Sequence, residues 1–397
     1  MLTLDKVYKA SHLLKSVARY TDMIESNGLT DDCQLRLKAE NLQLTGSFKL
    51  RGAFFKIANL PPDDREIVAC SAGNHSQGVS LAAGKLHRKA VIFMPSIAPI
   101  SKVEATRKLG AEVHLVDGVY DDAYLAAEKY CKEHDSIFVH PFDDEDVIAG
   151  QGSIALEILE QYPEVDTVLV PVGGGGLVSG VAFTLKQLKP DCKVFGVQAE
   201  GAASMFKSIK DGKRGRLATV STFADGIAVK EPGENTFELC SKYVDDIVTV
   251  SEDETSSAIL AMIEQHKLIA EGAGAVAVAA VMFNKLPIKG KKVVCVVSGG
   301  NIDVTILSRV IERGLLTSGR TCNLCIELMD KPGQLQKVST IIASLGANVI
   351  SVHHERASET KDINGCFLRL VLETKNYEHI SLITEKLEEA GFNIVSR

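Results

Sequence analysis

The chain has 397 residues, of which 45% are hydrophobic and 24% charged, and its formal net charge is -7. A chain of this length exceeds a single typical core, so we expect two or three domains. The acidic balance disfavours a nucleic-acid partner, and no stretch approaches the roughly 20 apolar residues of a membrane span. The nine cysteines are an odd number without the spacing of a disulfide framework, which indicates free thiols in a reducing cytoplasm.

Short β-rich runs alternate with helical stretches from Ile67 onward, beginning with "IVAC", "KAVIFMP" and "AEVHLVD". Such alternation predicts parallel strands joined by crossover helices. A second series starts at Thr167 with "TVLVPV" and closes with "KKVVCVVSGGN". Within it, Ser251 and Glu254 have the spacing of a capping box, which marks a helix start. We therefore expect an α/β body of about 320 residues.

The last stretch of the chain has a different pattern. From Cys322 the predicted order is strand, helix, strand, strand, helix, strand, which is the ferredoxin-like α+β arrangement. Glu312–Arg320 is the predicted linker that leads to it. Cys322 and Cys325 are three apart on a predicted strand, so they face opposite sides, and no second pair completes a zinc site; we expect no metal. His353 and His354 are adjacent on another strand, so one should point inward as a packed histidine.

Four consecutive glycines, Gly173–Gly176, lie between an apolar strand and an apolar helix. Without Cβ atoms, successive N–H groups can converge on an anion, and the dipole of the helix start favours a phosphate there. The dinucleotide fingerprint G-x-G-x-x-G fails, because the third glycine position after Gly173 is Val178. The run therefore indicates a small phosphorylated cofactor, with a flexible connection as the alternative.

A second strand-to-helix junction, "CSAGNHSQG", carries Ser71, Gly73, Asn74 and His75. Their hydroxyl, amide and backbone N–H groups at a helix start suit a carboxylate. A plain helix cap by Ser71 or Asn74 is the alternative.

Lys49 follows small and aromatic residues in "LTGSFKLRG". A confined apolar setting lowers the pKa of an amine, as Schiff-base chemistry requires. Ser298, in "VVSGGN", ends an apolar strand at the edge where open parallel sheets bind ligands. A reactive lysine, a phosphate cradle, a carboxylate-binding turn and a hydroxyl at a strand end together describe a pyridoxal phosphate (PLP) site.

Six motifs resemble, in order along the chain, those of the threonine dehydratases (threonine ammonia-lyases), which are tryptophan-synthase-β-like, fold type II PLP enzymes: "LTGSFKLRGA", "SAGNHSQGVSLAA", "APISKVEATRKLGAEV", "VPVGGGGLVSG", "ADGIAV" and "SGGN". The resemblance covers roughly Leu4 to Leu316. It implies a two-domain PLP fold, with open, mostly parallel sheets and helices on both faces. The catalytic domain would span 1–320, with a small subdomain at about 46–145 inserted in the large one. The tail, 321–397, resembles an ACT regulatory domain through "DKPGQL" and its strand and helix order.

The resemblance also implies a role for each matching residue. Lys49 would carry PLP in Schiff-base linkage, and Phe48 would pack beside the ring. The other cofactor-binding residues would be Asn74, Gly173, Gly174, Gly175, Gly176, Gly226, Glu271 and Ser298. The substrate carboxylate would lie among Ser71, Gly73, Asn74 and His75. A turn at Gly226 and a partnered carboxylate at Glu271 are the alternatives.

The activity that the resemblance implies is the conversion of L-threonine to 2-oxobutanoate and ammonia, with L-serine as a secondary substrate. The alternative is a serine racemase or serine dehydratase of the same fold. In the racemases a serine directly before Gly-Asn-His is the second acid/base, whereas Ala72 stands there in this chain and cannot carry a proton. An acidic ligand of their divalent ion lies six positions after the residue matching Glu200, where this chain has Phe206.

The ACT-like tail suggests ligand sensing. Gly333, in the strand-to-helix turn, would present its N–H to an amino-acid or nucleotide effector, with a common Pro-Gly turn as the alternative. We expect a small amino-acid substrate, a cytoplasmic homo-oligomer (a tetramer by analogy), and neither a nucleic acid nor a membrane as partner. An amino-acid sensor with a degenerate enzyme body is the remaining alternative.

Overall fold

The computed structural model describes residues 1–356 and 365–395, and the chain divides into two compact units, Met1–Ile306 and Leu307–Arg397. The predicted bounds of the catalytic domain, 1–320, and of the regulatory domain, 321–397, remain predictions. Residues 357–364 and 396–397 of the second lie outside the described residues. Within the described ranges, no helix is both long and apolar enough to cross a membrane.

The first unit contains ten strands and eleven α-helices among its described residues. Its strands are β1 (Met23–Ser26), β2 (Gln34–Lys38), β3 (Ile67–Cys70), β4 (Ala90–Pro95), β5 (Glu112–Val116), β6 (Ile137–Phe138), β7 (Thr167–Pro171), β8 (Lys193–Ala199), β9 (Asp246–Val250) and β10 (Lys292–Val296). Its helices are α1 (Leu4–Leu14), α2 (Lys49–Ala58), α3 (Asn74–Lys85), α4 (Ile100–Lys108), α5 (Tyr120–His134), α6 (Glu145–Gln161), α7 (Gly176–Leu188), α8 (Ser204–Lys210), α9 (Glu234–Tyr243), α10 (Glu252–Ala261) and α11 (Gly272–Met282).

The strands of the first unit form two sheets. The larger has the order β1-β2-β10-β7-β8-β9 and is parallel except for β1, which pairs antiparallel at the edge. The smaller has the order β5-β4-β3-β6 and is parallel throughout. Along the chain, the strands of the smaller sheet lie between β2 and β7 of the larger sheet, so the segment that forms the smaller sheet is inserted into the one that forms the larger sheet. The predicted α/β fold with mostly parallel sheets is confirmed.

Burial explains why these stretches form central strands. Every residue of β3, β4 and β7 is buried, and these strands are rich in Val, Ile and Leu, as expected for parallel strands covered on both faces. Helix α11 is apolar all round and almost wholly buried, which is typical of a central helix. The predicted capping box at the start of α10 is confirmed: Ser251 Oγ accepts from the Glu254 N–H at 3.2 Å, and Glu254 Oε2 accepts from the Ser251 N–H at 2.8 Å.

The topology gathers several loops at one edge of the large sheet. Strand β10 pairs with β2 on one side and with β7 on the other, in parallel. The loops that follow these three strands therefore leave the sheet at the same carboxyl edge, where ligands bind in open α/β sheets. Lys49, the glycine run and Ser298 all follow one of these strands.

The second unit has the predicted ferredoxin-like order. Its elements are α12 (Val304–Thr317), which begins just before the unit boundary, β11 (Thr321–Met329), α13 (Gln334–Ser344), β12 (Asn348–Glu355), β13 (Gly365–Glu373), α14 (Tyr377–Glu389) and β14 (Asn393–Ile394). The sheet has the order β12-β13-β11-β14 and is antiparallel.

Two predictions for this part of the chain are wrong. The expected linker at Glu312–Arg320 is helical as far as Thr317, because an amphipathic pattern continues through it and buries Val310 and Gly314. Neither His353 nor His354 is packed inward, because β12 is an edge strand and its end is exposed on both faces. Cys322 and Cys325 are both free thiols on β11.

Candidate active site

The loop before α2 is fastened to the loop after β10. Phe48 N–H donates to the Ser298 main-chain oxygen at 3.1 Å, and Ser47 forms an isolated bridge with Gly299. Gly300 N–H donates back to the Gly46 oxygen at 2.8 Å. These contacts bring together "GSFK" and "SGGN", two motifs that lie about 250 residues apart in sequence.

Lys49 is the first residue of α2, and its side chain is partly buried. Its Nζ atom donates to the main-chain oxygen of Pro141 at 2.7 Å. Loss of water around the amine lowers the pKa of Lys49 to about 8, although the Glu271 carboxylate acts in the opposite direction. A substantial fraction of the amine is therefore unprotonated at neutral to mildly alkaline pH.

Phe142 connects the lysine to the glycine run. It follows Pro141 directly, and a Cβ atom on Gly174 would lie 2.5 Å from its ring. Gly175 has φ +100° and immediately precedes α7, a backbone conformation that favours glycine. The run therefore passes close to the residues that hold the lysine amine.

The glycine run also offers free donors. Among the hydrogen bonds of the described residues, none uses the N–H of Gly173, Gly174 or Gly175, and the N–H of Gly176 belongs to the first turn of α7. The Gly174 oxygen, by contrast, accepts from Thr236 Oγ1 at 2.6 Å. The peptide group between Gly174 and Gly175 is therefore held in place, while its N–H, that of Gly175, stays free. Such a run of free N–H groups at a helix start could hold a phosphate.

A chain of side-chain hydrogen bonds crosses between the two sheets. Asn74, at the start of α3, donates from Nδ2 to Glu271 Oε1 at 2.6 Å. Asn301 Nδ2 donates to Asn74 Oδ1 at 2.7 Å and to the Thr45 oxygen at 2.7 Å. Both polar atoms of the Asn74 amide, Nδ2 and Oδ1, therefore have partners, which hold this side chain in one orientation.

Glu271 is buried, with 4% of its surface exposed. Burial raises the pKa of Glu271 to about 7; Asp225 adds to this rise, while the hydrogen bond from Asn74 opposes it. Gly226 lies beside this carboxyl, since a Cβ atom there would be 3.3 Å from Oε1. Gly226 therefore lies next to the Glu271 carboxyl, and Glu271 is partnered by Asn74, as its alternative interpretation described.

The side chain of His75 is held by a main-chain oxygen, so it is the backbone N–H of this residue that remains for the predicted carboxylate binding. Its Nε2 lies 2.8 Å from the Val139 oxygen, and since a carbonyl only accepts, Nε2 carries the proton. Burial and the neighbouring Lys49 lower the pKa of His75 to about 3, so the ring is neutral and its buried Nδ1 has a lone pair without a donor among the described residues. A neutral Nδ1 of this kind cannot donate to a substrate carboxylate, which leaves the backbone N–H of His75 for that purpose.

The remaining predicted carboxylate ligands lie at the start of α3. Gly73 precedes the helix, and its N–H donates to Ser71 Oγ at 3.1 Å, so the Ser71 hydroxyl proton stays free to donate elsewhere. The first-turn N–H groups of Asn74 and His75 have no partner within the helix. Together these groups could bind an anion at the helix start.

Ser298 lies two residues after Val296, the buried end of β10. Its Oγ donates to the Ala273 oxygen in the first turn of α11 at 3.2 Å. A nitrogen of the cofactor ring could accept the Ser298 hydroxyl proton only if that hydroxyl gave up its hydrogen bond to the Ala273 oxygen.

Gly333, the predicted regulatory residue, belongs to the second unit, where it precedes α13 with φ +90°.

Sequence reasoning missed the residues that support Lys49. Arg51, two residues further along α2, is buried and donates to Glu40 at 2.7–2.8 Å and to Glu157 at 2.6–3.0 Å. Lys38 Nζ reaches the same Glu157 at 2.5 Å. Burial alone would lower the pKa of Arg51, but the two carboxylates outweigh it, so the net pKa is raised and the guanidinium stays charged.

Pro141 and Phe142 were missed as well. They follow the short strand β6 at the carboxyl edge of the small parallel sheet, and that position is the signal that could have identified them.

These features fit pyridoxal phosphate. The cofactor needs an unprotonated lysine amine, a cradle for its phosphate and polar groups around its ring. The structure provides Lys49 with a lowered pKa, free N–H groups in the glycine run, Asn74 bonded to Glu271, and the Ser298 hydroxyl at the start of α11. Ser47, two residues before Lys49, adds a fully buried hydroxyl without a partner among the described residues.

Comparison with known proteins also indicates a pyridoxal phosphate enzyme. The family model described as pyridoxal-phosphate-dependent enzyme matches residues 14–299. The L-threonine ammonia-lyase of Thermotoga maritima is 48% identical over 398 residues, which cover 99% of each chain.

Solved structures share the fold. The processed form of threonine deaminase isoform 2 from Solanum lycopersicum is 38% identical with a TM-score of 0.74, over 78% of this chain and 89% of that one. Maize serine racemase is 30% identical with a TM-score of 0.75, over 79% of this chain and 98% of that one. With a family match over most of its length and a near-full-length relative at 48% identity, this chain belongs to the pyridoxal-phosphate-dependent enzymes of fold type II.

Proposed function

We propose that this enzyme converts L-threonine to 2-oxobutanoate and ammonia and accepts L-serine as a secondary substrate. The observation that carries the proposal is the Lys49 amine, with its pKa lowered to about 8, held at the meeting point of the glycine run and the "SGGN" loop. The near-full-length similarity to the L-threonine ammonia-lyase of Thermotoga maritima supports the choice of threonine.

In this proposal Lys49 is the base. When bound, pyridoxal phosphate supplies an electron sink for the charge that develops at the substrate α-carbon. The unprotonated Nζ of Lys49 takes the proton from that carbon, and the lowered pKa keeps the amine competent near neutral pH. Loss of the β-hydroxyl releases one water, and hydrolysis takes one up, so the net products are the oxo acid and ammonia.

The other proposed roles are binding and orientation. Ser71 Oγ and the N–H groups at the start of α3 would receive the substrate carboxylate, and the glycine run would hold the cofactor phosphate. Asn74, fixed by Glu271 and Asn301, would hold the cofactor ring in one orientation. Phe48 would pack beside the ring; its own ring centre lies 5.3 Å from Lys49 Nζ.

Ala72 favours elimination over racemisation. It lies between Ser71 and Gly73, in the turn that leads into α3, and its methyl group cannot exchange a proton with a substrate. Maize serine racemase has the same fold, so the fold alone does not separate the two activities. In our proposal the side chain at position 72 is what separates elimination from racemisation.

We also propose that the second unit is a regulatory, ACT-like domain, predicted to span 321–397. Its strand order β12-β13-β11-β14 and the glycine-led turn at Gly333 support this role. An amino-acid or nucleotide effector, a cytoplasmic location and assembly as a homotetramer belong to the same proposal.

The test is product analysis with purified holoenzyme. We expect 2-oxobutanoate from L-threonine, slower pyruvate formation from L-serine, and little D-serine. The rate with threonine should change when single amino acids or nucleotides are added, and a variant truncated after Thr317 tests whether that change needs the second unit. Binding of amino acids without turnover would instead favour a sensor, and D-serine formation at a rate comparable to elimination would favour a racemase.

A further inference from the structure

Three side chains that commonly bind metals meet at one end of the sheet in the second unit. Asp330 follows β11, His354 is on β12, and Cys366 is on β13. One ligand atom from each, a carboxylate oxygen, an imidazole nitrogen and the sulfur, lie within 4.8 Å of one another. None of the three takes part in the chemistry proposed above.

The register of the sheet explains why they meet. On β13, Cys366 pairs with Leu328 and Leu368 pairs with His354. Side chains two residues apart on a strand share a face, so Cys366 and His354 lie on one face as diagonal neighbours. Asp330 continues β11 two residues beyond Leu328 and comes to the same face at the same end.

The distances are close to those within a metal site. His354 Nε2 lies 3.0 Å from Cys366 Sγ and 3.9 Å from Asp330 Oδ1. Ligand atoms around a tetrahedral zinc ion are about 3.4–3.6 Å apart, given bonds of about 2.0–2.3 Å. The two His354 distances each differ from these values by about half an ångström, and all three atoms lie within 4.8 Å of one another, so side-chain shifts of up to about 1 Å would bring them into the geometry of a single ion.

The surroundings suit a site with one position left for solvent. Cys366 is fully buried, the Asp330 side chain is 27% exposed and that of His354 is 42% exposed, so the set opens to water on one side. Arg356 Nε binds the other oxygen of Asp330, Oδ2, at 2.6 Å, which orients Oδ1 towards His354. Burial raises the pKa of the Cys366 thiol, and Asp330 adds to this rise, so the neutral thiol predominates until a cation is bound beside it.

We propose that Asp330, His354 and Cys366 form a binding site for one divalent transition-metal ion, with zinc as the ion that a mixed oxygen, nitrogen and sulfur set fits best. On binding, the Cys366 Sγ–H bond breaks, the sulfur keeps the electron pair and binds the metal, and the proton passes to solvent. The bound ion would tie the ends of β11, β12 and β13 to the turn at Lys331–Gly333. A metal-free thiol–imidazole hydrogen bond is the competing explanation of the same contact.

Equilibrium dialysis of the reduced, full-length holoenzyme against zinc, with bound metal measured by mass spectrometry, tests the proposal. We expect one zinc per chain at this site. H354Q and C366S should weaken binding at least about 100-fold, because loss of a partner that only orients a ligand already costs about 10–100-fold. H353Q, on the neighbouring position of the same strand, and C325S, a buried cysteine of the same sheet, are the matched controls and should bind like the unaltered chain.

X-ray absorption at the zinc edge then identifies the ligands. One sulfur at about 2.3 Å and nitrogen or oxygen ligands at about 2.0–2.2 Å are expected. If C366S fails to fold, H354Q decides the question, since His354 is exposed and glutamine can be accommodated there. No bound zinc, equal binding by all variants, or a zinc shell without sulfur would overturn the proposal.

Discussion

Asn74 Nδ2 donates a 2.6 Å hydrogen bond to Glu271 Oε1, across 197 residues of chain. Asn74 begins a helix of the small-sheet insertion, whereas Glu271 immediately precedes the central helix α11. The contact therefore joins the two sheet regions at the site, and it uses a carboxyl group whose burial raises its pKa to about 7.

The raised pKa of Glu271 predicts a pH-dependent effect on stability. Between pH 4.5 and about 7 the folded chain binds more protons than the unfolded chain at this group, so Glu271 lowers the free energy of unfolding as the pH rises. Glu271→Gln removes this effect and should stabilise the cofactor-free protein at pH 8 by up to about 3 kcal/mol.

Urea unfolding of the two proteins at pH 8 and near pH 5 measures the difference. The advantage of Glu271→Gln should shrink as the pH falls, since both proteins are then uncharged at this position. An advantage of equal size at both pH values would contradict a titration of Glu271 near neutrality.

The lowered pKa of Lys49 predicts the pH dependence of cofactor uptake. Only the unprotonated amine reacts with the cofactor aldehyde, so the rate at which the cofactor-free protein gains its visible absorbance should rise with pH and level off above about 8. An ordinary lysine would give a rate that still rises near pH 10. Because the Glu271 carboxylate raises the pKa of Lys49, Glu271→Gln should move the midpoint to lower pH, and an unmoved or higher midpoint would count against this electrostatic coupling.

The buried network around Arg51 predicts a large loss of stability. Arg51→Met would leave Glu40 and part of Glu157 without their partner, and breaking a buried ion pair in this way costs about 3–5 kcal/mol. The free energy of unfolding in urea measures the loss. The exposed pair of Lys129 and Glu133, at 3.8 Å, is the control, and Lys129→Ala should change stability by less than about 1 kcal/mol. Similar effects of the two substitutions would mean that the network contributes little.

Ala72 predicts the ratio of racemisation to elimination. Ala72→Ser places a hydroxyl where the serine racemases carry their second acid/base, so D-serine formation relative to pyruvate formation should rise at least about tenfold, a small part of what a well-placed acid or base provides. Chiral chromatography of the products from L-serine measures the ratio. Ala72→Gly lacks the hydroxyl and should leave it low; an equal rise in both variants would show that space at the position, not the hydroxyl, is responsible.

Much of the fold could be predicted because strand and helix patterns are local. The apolar runs, each followed by polar residues, predict strands β3 to β10 in their sequence order. In an open parallel sheet the loops that follow the strands lie at one edge, which is where ligands bind. Asn74 and Ser298 were found for this reason, whereas Lys49 was found from the small and aromatic residues that precede it. The bridge between Ser47 and Gly299 brings two of these loops together.

The rest depends on contacts that no local pattern contains. Nothing in "HPF" indicates that the Pro141 oxygen accepts from Lys49, 92 residues earlier. Likewise, the sequence does not show that Val139 fixes the proton of His75 on Nε2. The expected linker at Glu312–Arg320 is helical as far as Thr317, because the glycine at position 314 only weakens a helix that packing stabilises.

The central claim is that Lys49 carries the cofactor, and borohydride reduction of the holoenzyme followed by peptide mass spectrometry tests it most directly. The predicted result is loss of the visible absorbance, with the pyridoxyl group on the peptide that contains Lys49. Lys49→Ala should show no reducible absorbance, while Lys85→Ala, at the exposed end of α3, should behave like the unaltered enzyme. Attachment at another lysine, or a holoenzyme without a reducible chromophore, would contradict the account.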